Sequence, residues 1–241
     1  MFSVREICVL QAKGRDIKHL ALASLGLDIN SEQKVKCLQE LKSLDISEWY
    51  RCEFRHCDLL LIYGGDRVLE KTNISWTPSA ERCPALRVLI EEIVSPYFHV
   101  KPRIIVLRTK QKEQLNWHVD CNHEELDEFR PKLRCLLSGQ RDDLFYLAKN
   151  GVDKIYAPIF SDVYYMSGAY VHSLKNESMD ERYVLCFGSP WTEKDLKPYF
   201  LETLNKLDSS HVFWSDELLS TNRKRYVRDP SRHGLNPYGT P

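Results

Sequence analysis

The sequence predicts a mainly β protein with flanking helices, and two observations support this. After residue 100, seven short runs rich in β-branched and aromatic residues follow one another with no helical pattern between them. Before residue 100 and after residue 190, apolar residues recur at helical spacing instead. Closely spaced strands without intervening helices favour an antiparallel sandwich or barrel over a parallel sheet.

Two segments of the N-terminal region carry a helical pattern. In "SEQKVKCLQELKSL" at 31–44, Ser31 is the candidate N-cap, and Val35, Leu38 and Leu41 recur every three residues. "CPALRVLIEEIVSPYF" places Pro84 at the first helical position, where its missing N–H is tolerated. The apolar face of this second helix consists of Leu86, Leu89, Ile90 and Ile93.

The predicted strands lie at 103–109, 132–137, 143–148, 152–157, 162–166, 170–174 and 182–188. "KNG" at 149–151 separates two of them and is typical of a hairpin. Helical patterning returns in "TEKDLKPYFLETLNKL" and "SDELLSTNRKRY". We therefore expect an N-terminal helical region with the first strand or strands (1–100), a β core (101–189) and a C-terminal helical and basic segment (190–241).

Composition narrows the class of protein. The 241 residues suffice for one sizeable core. Because 34 Lys and Arg balance 34 Asp and Glu, no global charge favours nucleic acid or an anionic membrane as a partner. The longest apolar runs are too short to span a bilayer, and Arg5 and Glu6 interrupt the position of a signal peptide's apolar region. We expect a soluble, cytoplasmic protein.

The eight cysteines are scattered, and no pair has CxxC spacing. Without a secretory signal, mostly reduced thiols are expected. Cys52 and Cys57 together with His56 suggest a zinc site only weakly, because the spacing is poor and a second ligand pair is missing.

A candidate metal motif begins in "NWHVDCNHEELD" at 116–127. His118 and Asp120 are two positions apart, so on a strand their side chains share one face. His172 follows Asp120 by 52 positions on a predicted strand, and Arg182 opens another strand 10 positions later. Two imidazoles and one carboxylate can occupy one face of an octahedral Fe(II), leaving three positions open. The planar guanidinium of Arg182 would suit a carboxylate.

Each part of this motif is weak alone. His-x-Asp occurs by chance in many proteins, and a single histidine on a strand is usually an ordinary core or surface residue. The four-part order within a run of strands favours the metal site. His123 lies on an acidic segment expected to be solvated, so it is not favoured as a ligand.

These residues carry a family resemblance. "HVDCNHEELDEFRPKLRCLL" followed by "VYYMSGAYVHSLKNESMDERYVLCF" resembles the aspartyl/asparaginyl β-hydroxylase family of Fe(II)/2-oxoglutarate oxygenases, and most of all its bacterial free-proline hydroxylases. The resemblance spans roughly residues 55–190 and implies a double-stranded β-helix, a cupin-like jelly roll. It also implies that Arg182 meets the distal carboxylate of 2-oxoglutarate and that Arg134 contacts a co-substrate or substrate carboxylate. Leu136 stands where the family usually has a histidine, a departure that bears on substrate recognition.

The resemblance implies Fe(II), 2-oxoglutarate and O₂ as the reactive groups, with no catalytic residue beyond the metal ligands. The expected reaction hydroxylates an unactivated C–H bond of a free, proline-like amino acid and converts 2-oxoglutarate to succinate and CO₂. Asp120 argues against halogenation, which needs that coordination position for chloride. Two alternatives stay open: a hydroxylase of a residue within a peptide or protein, which needs an open groove, and a non-catalytic cupin-type binding module.

Aromatic and basic residues outside the motif have open roles. Trp117 is expected at the substrate, and Trp76 and Trp191 in the core or a pocket wall. The C-terminal stretch 222–241 is rich in Arg and Lys. It is expected to be a solvated tail, a lid with an arginine that reaches a substrate carboxylate, or a nucleic-acid-binding patch with Tyr226 and Tyr238. The neutral charge of the whole chain disfavours nucleic acid.

Overall fold

A computed structural model describes residues 11–53, 55–65, 74–120, 132–188 and 195–219. The helices in these ranges are α1 (Ser31–Ser43), α2 (Pro78–Glu81), α3 (Pro84–Tyr97) and α4 (Pro198–Lys206). Several residues discussed above lie outside the described ranges, namely Cys8, Cys121, His123, Trp191 and the basic stretch 222–241.

Fourteen strands occur within the described ranges, and all their pairings are antiparallel. A small hairpin consists of β1 (Gln11–Ala12) and β2 (Arg15–Asp16). The large sheet consists of β3 (Leu20–Leu27), β4 (Tyr50–Cys52), β5 (Cys57–Gly64), β6 (Ser75–Trp76), β7 (Ile104–Thr109), β8 (Leu133–Ser138), β11 (Val163–Met166), β13 (Arg182–Phe187) and β14 (Val212–Trp214). The small sheet consists of β9 (Leu144–Leu147), β10 (Lys154–Tyr156) and β12 (His172–Leu174).

The order of the large sheet is β14-β3-β11-β8-β13-β7-β5-β4, with β6 also paired to β5. The small sheet has the order β10-β9-β12. The predicted mainly β, antiparallel class is therefore confirmed, while the double-stranded β-helix stays a prediction. All seven predicted strands are present as β7 to β13.

The predicted hairpin at 149–151 joins β9 to β10. Gly151 has a φ of 73°, a left-handed conformation that glycine adopts without steric cost. The side chain of Asn150 accepts hydrogen bonds from the N–H groups of Val152 and Asp153. The turn chemistry read from the sequence thus matches the local structure.

Strands of the N-terminal region belong to the same large sheet as the β core. β3 pairs with β11, and β5 pairs with β7. The large sheet therefore continues across the boundary expected near residue 100.

The two helices predicted in the N-terminal region are present, with one correction, and α4 lies in the first of the two C-terminal segments predicted to be helical. The described part of the second, residues 215–219, is not helical. The N-cap of α1 is Asn30, whose side chain accepts from the Glu32 N–H, and Ser31 is instead the first helical residue. Asparagine caps as well as serine does, and the sequence offered both side by side. α3 begins at Pro84 and buries the predicted apolar face.

Strand alternation divides the molecule into layers. On β8, Leu133, Cys135 and Leu137 belong to the main apolar core, which also contains the buried faces of the helices. Arg134 and Leu136 point to the other side of the sheet. On that side the small sheet packs against the large one, in a cluster that joins Tyr146 of β9 to residues of β3 and β11. Arg134 is therefore held between the two sheets.

The cysteines in the described ranges are all free thiols: Cys37, Cys52, Cys57, Cys83, Cys135 and Cys186. Cys52 and Cys57 are buried partners across the β4–β5 pair, whereas His56 between them is exposed. These three side chains do not form a ligand cluster. No helix in the described ranges is both long and apolar enough to cross a membrane.

Candidate metal centre

His118 and His172 lie directly opposite each other on neighbouring chain segments. The His118 N–H donates to the His172 carbonyl at 3.1 Å, and the His172 N–H donates to the His118 carbonyl at 3.0 Å. Residues opposed in this way project their side chains on the same face. Their ring centroids are accordingly 4.4 Å apart. The segment that carries His118 thus extends the small sheet beyond β12.

Both imidazoles are fixed by a carbonyl two residues earlier. His118 Nδ1 lies 2.7 Å from the Asn116 oxygen, and His172 Nδ1 lies 2.8 Å from the Tyr170 oxygen. A carbonyl oxygen can only accept, so Nδ1 carries the proton and Nε2 keeps its lone pair. Both histidines are therefore in the tautomer that binds a metal through Nε2.

The two Nε2 atoms face one carboxylate. His118 Nε2 is 3.6 Å from Asp120 Oδ1, and His172 Nε2 is 3.9 Å from Asp120 Oδ2. One ligand atom from each residue lies within 4.8 Å of the others. Bonds of ~2.1 Å would place neighbouring ligands of an octahedral ion ~3 Å apart, so the three side chains would need to draw in slightly.

The electrostatics of the histidines suit metal binding. His118 and His172 are 2% and 4% exposed. Burial lowers the pKa of His118 well below its usual value and that of His172 to about 4. Both rings are then neutral at physiological pH, and an incoming cation displaces no proton from them. Two nitrogens and one carboxylate oxygen, with no thiolate, form the donor set of non-haem Fe(II) sites.

The backbone of Asp120 is held by Gly168. The Asp120 N–H donates to the Gly168 carbonyl at 2.9 Å. A Cβ atom on Gly168 would overlap Asp120 Cβ and would lie 3.0 Å from Lys132 Nζ. Only glycine allows so close an approach of the two segments. Gly168 is thus a requirement of the site that the sequence analysis missed.

Three cations of the described ranges surround the Asp120 carboxylate. Arg55 Nη1 lies 3.1 Å from Oδ1, and Arg134 Nη2 lies 2.9 Å from Oδ2. Lys132 Nζ is 3.9 Å from Oδ2. Burial alone raises the pKa of Asp120, but the positive charges of Lys132, Arg55 and Arg134 hold it well below its usual value. Asp120 is therefore a carboxylate at any physiological pH.

Arg182 contacts a carboxylate, and that carboxylate belongs to this chain. Its Nε donates to Asp143 Oδ2 and its Nη2 donates to Asp143 Oδ1, the latter at 3.1 Å. The two side chains are 3% and 1% exposed. Burial raises the pKa of Asp143, and Arg182 opposes this rise.

A cavity of about 40 Å³ lies among these groups. It is lined by the three candidate ligands, three arginines and a set of apolar and aromatic residues: Arg55, Arg134, Arg182, Leu107, Leu115, Leu144, Tyr164, Met166, Leu174 and Val184. Because this volume is small, a ligand of the size of 2-oxoglutarate would need some of the surrounding side chains to move.

Trp117 and Leu136 do not line this cavity. Trp117 precedes His118, so alternation turns it to the other side, where it packs edge-on against Phe145 at 5.1 Å. Leu136 packs with Val184 and Cys186.

The sequence analysis also missed three charged residues of the site. Arg55 lies in the turn between β4 and β5, where its N–H donates to the Cys52 carbonyl at 3.1 Å. Lys132 immediately precedes β8, and Asp143 precedes β9. No spacing rule relates these positions to His118 or Asp120, because their proximity depends on the order of strands in the sheets.

No family model matches the chain, and no curated protein matches it. A solved 2OG-Fe(II) oxygenase family protein from Burkholderia pseudomallei is 15% identical, with 66% of this chain and 78% of that chain covered and a TM-score of 0.41. A prolyl-4-hydroxylase from Pseudomonas putida is 14% identical, with 71% and 92% covered and a TM-score of 0.44. Drosophila melanogaster CENP-C, solved bound to CAL1, is 9% identical, with 66% and 97% covered and a TM-score of 0.36. With TM-scores this low, the solved structures do not show what the site does, so its chemistry is inferred from the residues of this chain.

Proposed function

We propose that this protein is an Fe(II)/2-oxoglutarate-dependent dioxygenase that hydroxylates an unactivated C–H bond of a small, carboxylate-bearing amino acid such as proline. The carrying observation is the pair of opposed histidines, each with Nε2 free and directed at one buried carboxylate. Fe(II) with 2-oxoglutarate and O₂ would supply the oxidation, and the protein would position the reactants. A double-stranded β-helix is the fold we assign to this site.

In this proposal His118, Asp120 and His172 hold the metal on one face. The Nδ1 hydrogen bonds stop the two rings from rotating, because rotation would leave a buried N–H unpaired. The Gly168 carbonyl and the surrounding cations hold Asp120 in place. Three protein ligands would leave the metal accessible to the co-substrate.

Arg182 binds the distal carboxylate of 2-oxoglutarate in this proposal. Asp143 occupies the Nε and one N–H of Nη2, so the Nη1 side of the guanidinium is left for a second carboxylate. Asp143 thereby positions the fork. The pairing also keeps Arg182 from being an uncompensated buried charge before the co-substrate binds.

Arg134 binds a carboxylate of the substrate. It is buried, lines the cavity and contacts only one of the two Asp120 oxygens. Leu107, Leu115 and Leu174 line the same cavity and would exclude water from the reacting atoms. We assign Trp117 a supporting role, because it packs behind the segment that carries His118 rather than facing the cavity.

The two alternatives fit these observations less well. A hydroxylase of peptides needs an open groove, whereas the ligands here surround a small cavity beside three buried arginines. A non-catalytic binding module would have no use for two neutral, buried imidazoles directed at a carboxylate, which are costly to bury.

The test is an assay of succinate formation. The purified protein is loaded with Fe(II) without oxygen and then given O₂, 2-oxoglutarate and free amino acids one at a time, proline among them. We expect iron-dependent succinate that at least one free amino acid stimulates. Stimulation by peptides alone would favour the peptide hydroxylase, and metal binding without any succinate would favour the binding module.

A further inference from the structure

Arg55 is the charged residue of the cavity whose hydrogen bonding is least complete. The residue is 9% exposed. Its Nη1 contacts Asp120 Oδ1 at 3.1 Å, but its Nε is buried and has no hydrogen-bond partner among the described residues. A buried N–H without a partner costs free energy, so this atom suits a ligand that accepts a hydrogen bond.

The Nε of Arg55 is on a different part of the guanidinium from the contact with Asp120. Asp120 contacts Nη1, whereas Nε has no partner among the described residues. In a guanidinium, Nε–H and the neighbouring Nη2–H are parallel, so a ligand that reaches Nε meets a fork of two donors. Such a fork matches the two oxygens of a carboxylate or a phosphate. A ligand could thus bind Arg55 while Asp120 serves the metal.

The charge balance points the same way. Among the described residues, four cations contact two carboxylates in this site: Arg55, Lys132, Arg134 and Arg182 against Asp120 and Asp143. The excess is two positive charges, four minus two. A divalent metal and doubly charged 2-oxoglutarate cancel each other, so the excess stays at two. Buried charge of one sign is costly unless an anion compensates it.

We propose that Arg55 binds an anionic group of the substrate and that the substrate carries this group in addition to its α-carboxylate. This rests on the proposed function and deepens it. Arg134 and Arg55 contact different oxygens of Asp120, so each can hold one anionic group beside the metal. The substrate is then an amino acid with a second carboxylate or with a phosphate, and its net charge is negative despite the ammonium group. This narrows the proposed class and makes proline, which has one carboxylate and no net charge, one of its weaker ligands.

The experiment measures binding without turnover. The protein is loaded with Mn(II) and saturating 2-oxoglutarate in the absence of oxygen, and ligands are titrated by calorimetry in matched pairs. L-Glutamate is compared with L-glutamine, and O-phospho-L-serine with L-serine. The two pairs separate a carboxylate from a phosphate as the second anionic group. Wild-type protein should bind the anionic member of at least one pair about tenfold more tightly or better.

Arg55→Gln should reduce that preference to about threefold or less. The preference is a ratio of two affinities measured in one variant, so it cancels any change in metal or 2-oxoglutarate binding that follows from the lost contact with Asp120. Arg55→Lys keeps the charge and should keep part of the preference. Arg55→Lys also serves if the glutamine variant does not fold. The matched control is Arg87→Gln on α3, because Arg87 pairs with Glu81 and does not line the cavity. This control should behave as wild type.

Three results would overturn the inference while leaving the proposed function intact. They are equal binding of anionic and neutral members, no binding of any probe, and a preference that survives in Arg55→Gln. Failure of the wild-type protein to bind Mn(II) would overturn the proposed function as well.

Discussion

Arg182 and Asp143 form a buried, two-point ion pair beside the candidate metal ligands. Arg182, which the family resemblance assigns to the co-substrate, therefore already has its positive charge balanced by Asp143. In the proposed enzyme, 2-oxoglutarate adds a second carboxylate to this pair, and the pair holds the guanidinium ready for it.

Removing the charge of Asp143 should destabilise the protein. Asp143→Asn leaves Arg182 as a buried cation without its counter-ion, which typically costs about 3–5 kcal/mol. We expect added 2-oxoglutarate to restore more stability to this variant than to wild type, since its carboxylate replaces the missing charge. Urea unfolding with Mn(II), with and without 2-oxoglutarate, measures both effects. Asp216→Asn is the control, because Asp216 forms an exposed pair with Arg15 and should cost at most about 1 kcal/mol. Equal rescue of Asp143→Asn and wild type would contradict the proposal.

Arg182→Lys should weaken the binding of 2-oxoglutarate. Lysine keeps the charge but loses the planar fork, and hydrogen bonds to charged groups contribute about 1.5–3 kcal/mol each. The dissociation constant of 2-oxoglutarate from the Mn(II) protein should rise about 10- to 100-fold. Calorimetric titration gives this constant directly. If it does not change, another residue binds the distal carboxylate.

Gly168→Ala should disturb Asp120. The added Cβ would overlap Asp120 Cβ, so the segment that carries Asp120 must shift. Overpacking of this kind typically lowers the free energy of unfolding by about 1–3 kcal/mol. Metal affinity should fall as the carboxylate moves. The matched control is Gly188→Ala, since a Cβ there meets no described atom within 4 Å. Metal titration and thermal unfolding of both variants test this, and equal behaviour of the two would refute a special role for Gly168.

Asp162 should control stability at acid pH. It accepts a hydrogen bond from the Ile29 N–H at 2.8 Å and pairs with Lys34 at 2.7 Å and Arg141 at 2.9 Å. Burial raises the pKa of this carboxyl, but Lys34, the Ile29 N–H and Arg141 lower it by more than burial raises it. The pKa of Asp162 in the folded protein is therefore below its usual value. The stability that the ionised Asp162 adds to the fold is then fully present above the unfolded pKa of about 3.9, and it is lost as pH falls through the folded pKa.

Asp162→Asn should accordingly lower the free energy of unfolding at pH 7 by about 1–3 kcal/mol. The loss should shrink as pH falls from about 4, where the unfolded state takes up the proton first, through the lower pKa of the folded protein. Urea unfolding of both proteins across pH 3–7 shows whether the curves converge. Parallel curves would mean that Asp162 does not carry this pH dependence.

The sequence predicted the elements that depend on local pattern. Alternation located β7 to β13, and helical spacing located α1 and α3. The same alternation placed His118 and Asp120 on one face, where His172 joins them. Arg55 and Asp143 could not be predicted, because they reach the site only through the folding of distant turns against the sheets. The N-cap of α1 was misassigned by one residue, because Asn30 and Ser31 are both good caps.

The central claim is that His118, Asp120 and His172 bind one metal ion. The most direct measurement is an oxygen-free calorimetric titration of Fe(II) into wild type, His172→Ala and His19→Ala, an exposed histidine outside the cavity. Removing a ligand should cost more than the 10- to 100-fold typical of residues that only support one. We predict one Fe(II) per chain for wild type and His19→Ala, and an affinity more than about 100-fold weaker for His172→Ala. Undiminished binding of one Fe(II) by His172→Ala would contradict the account.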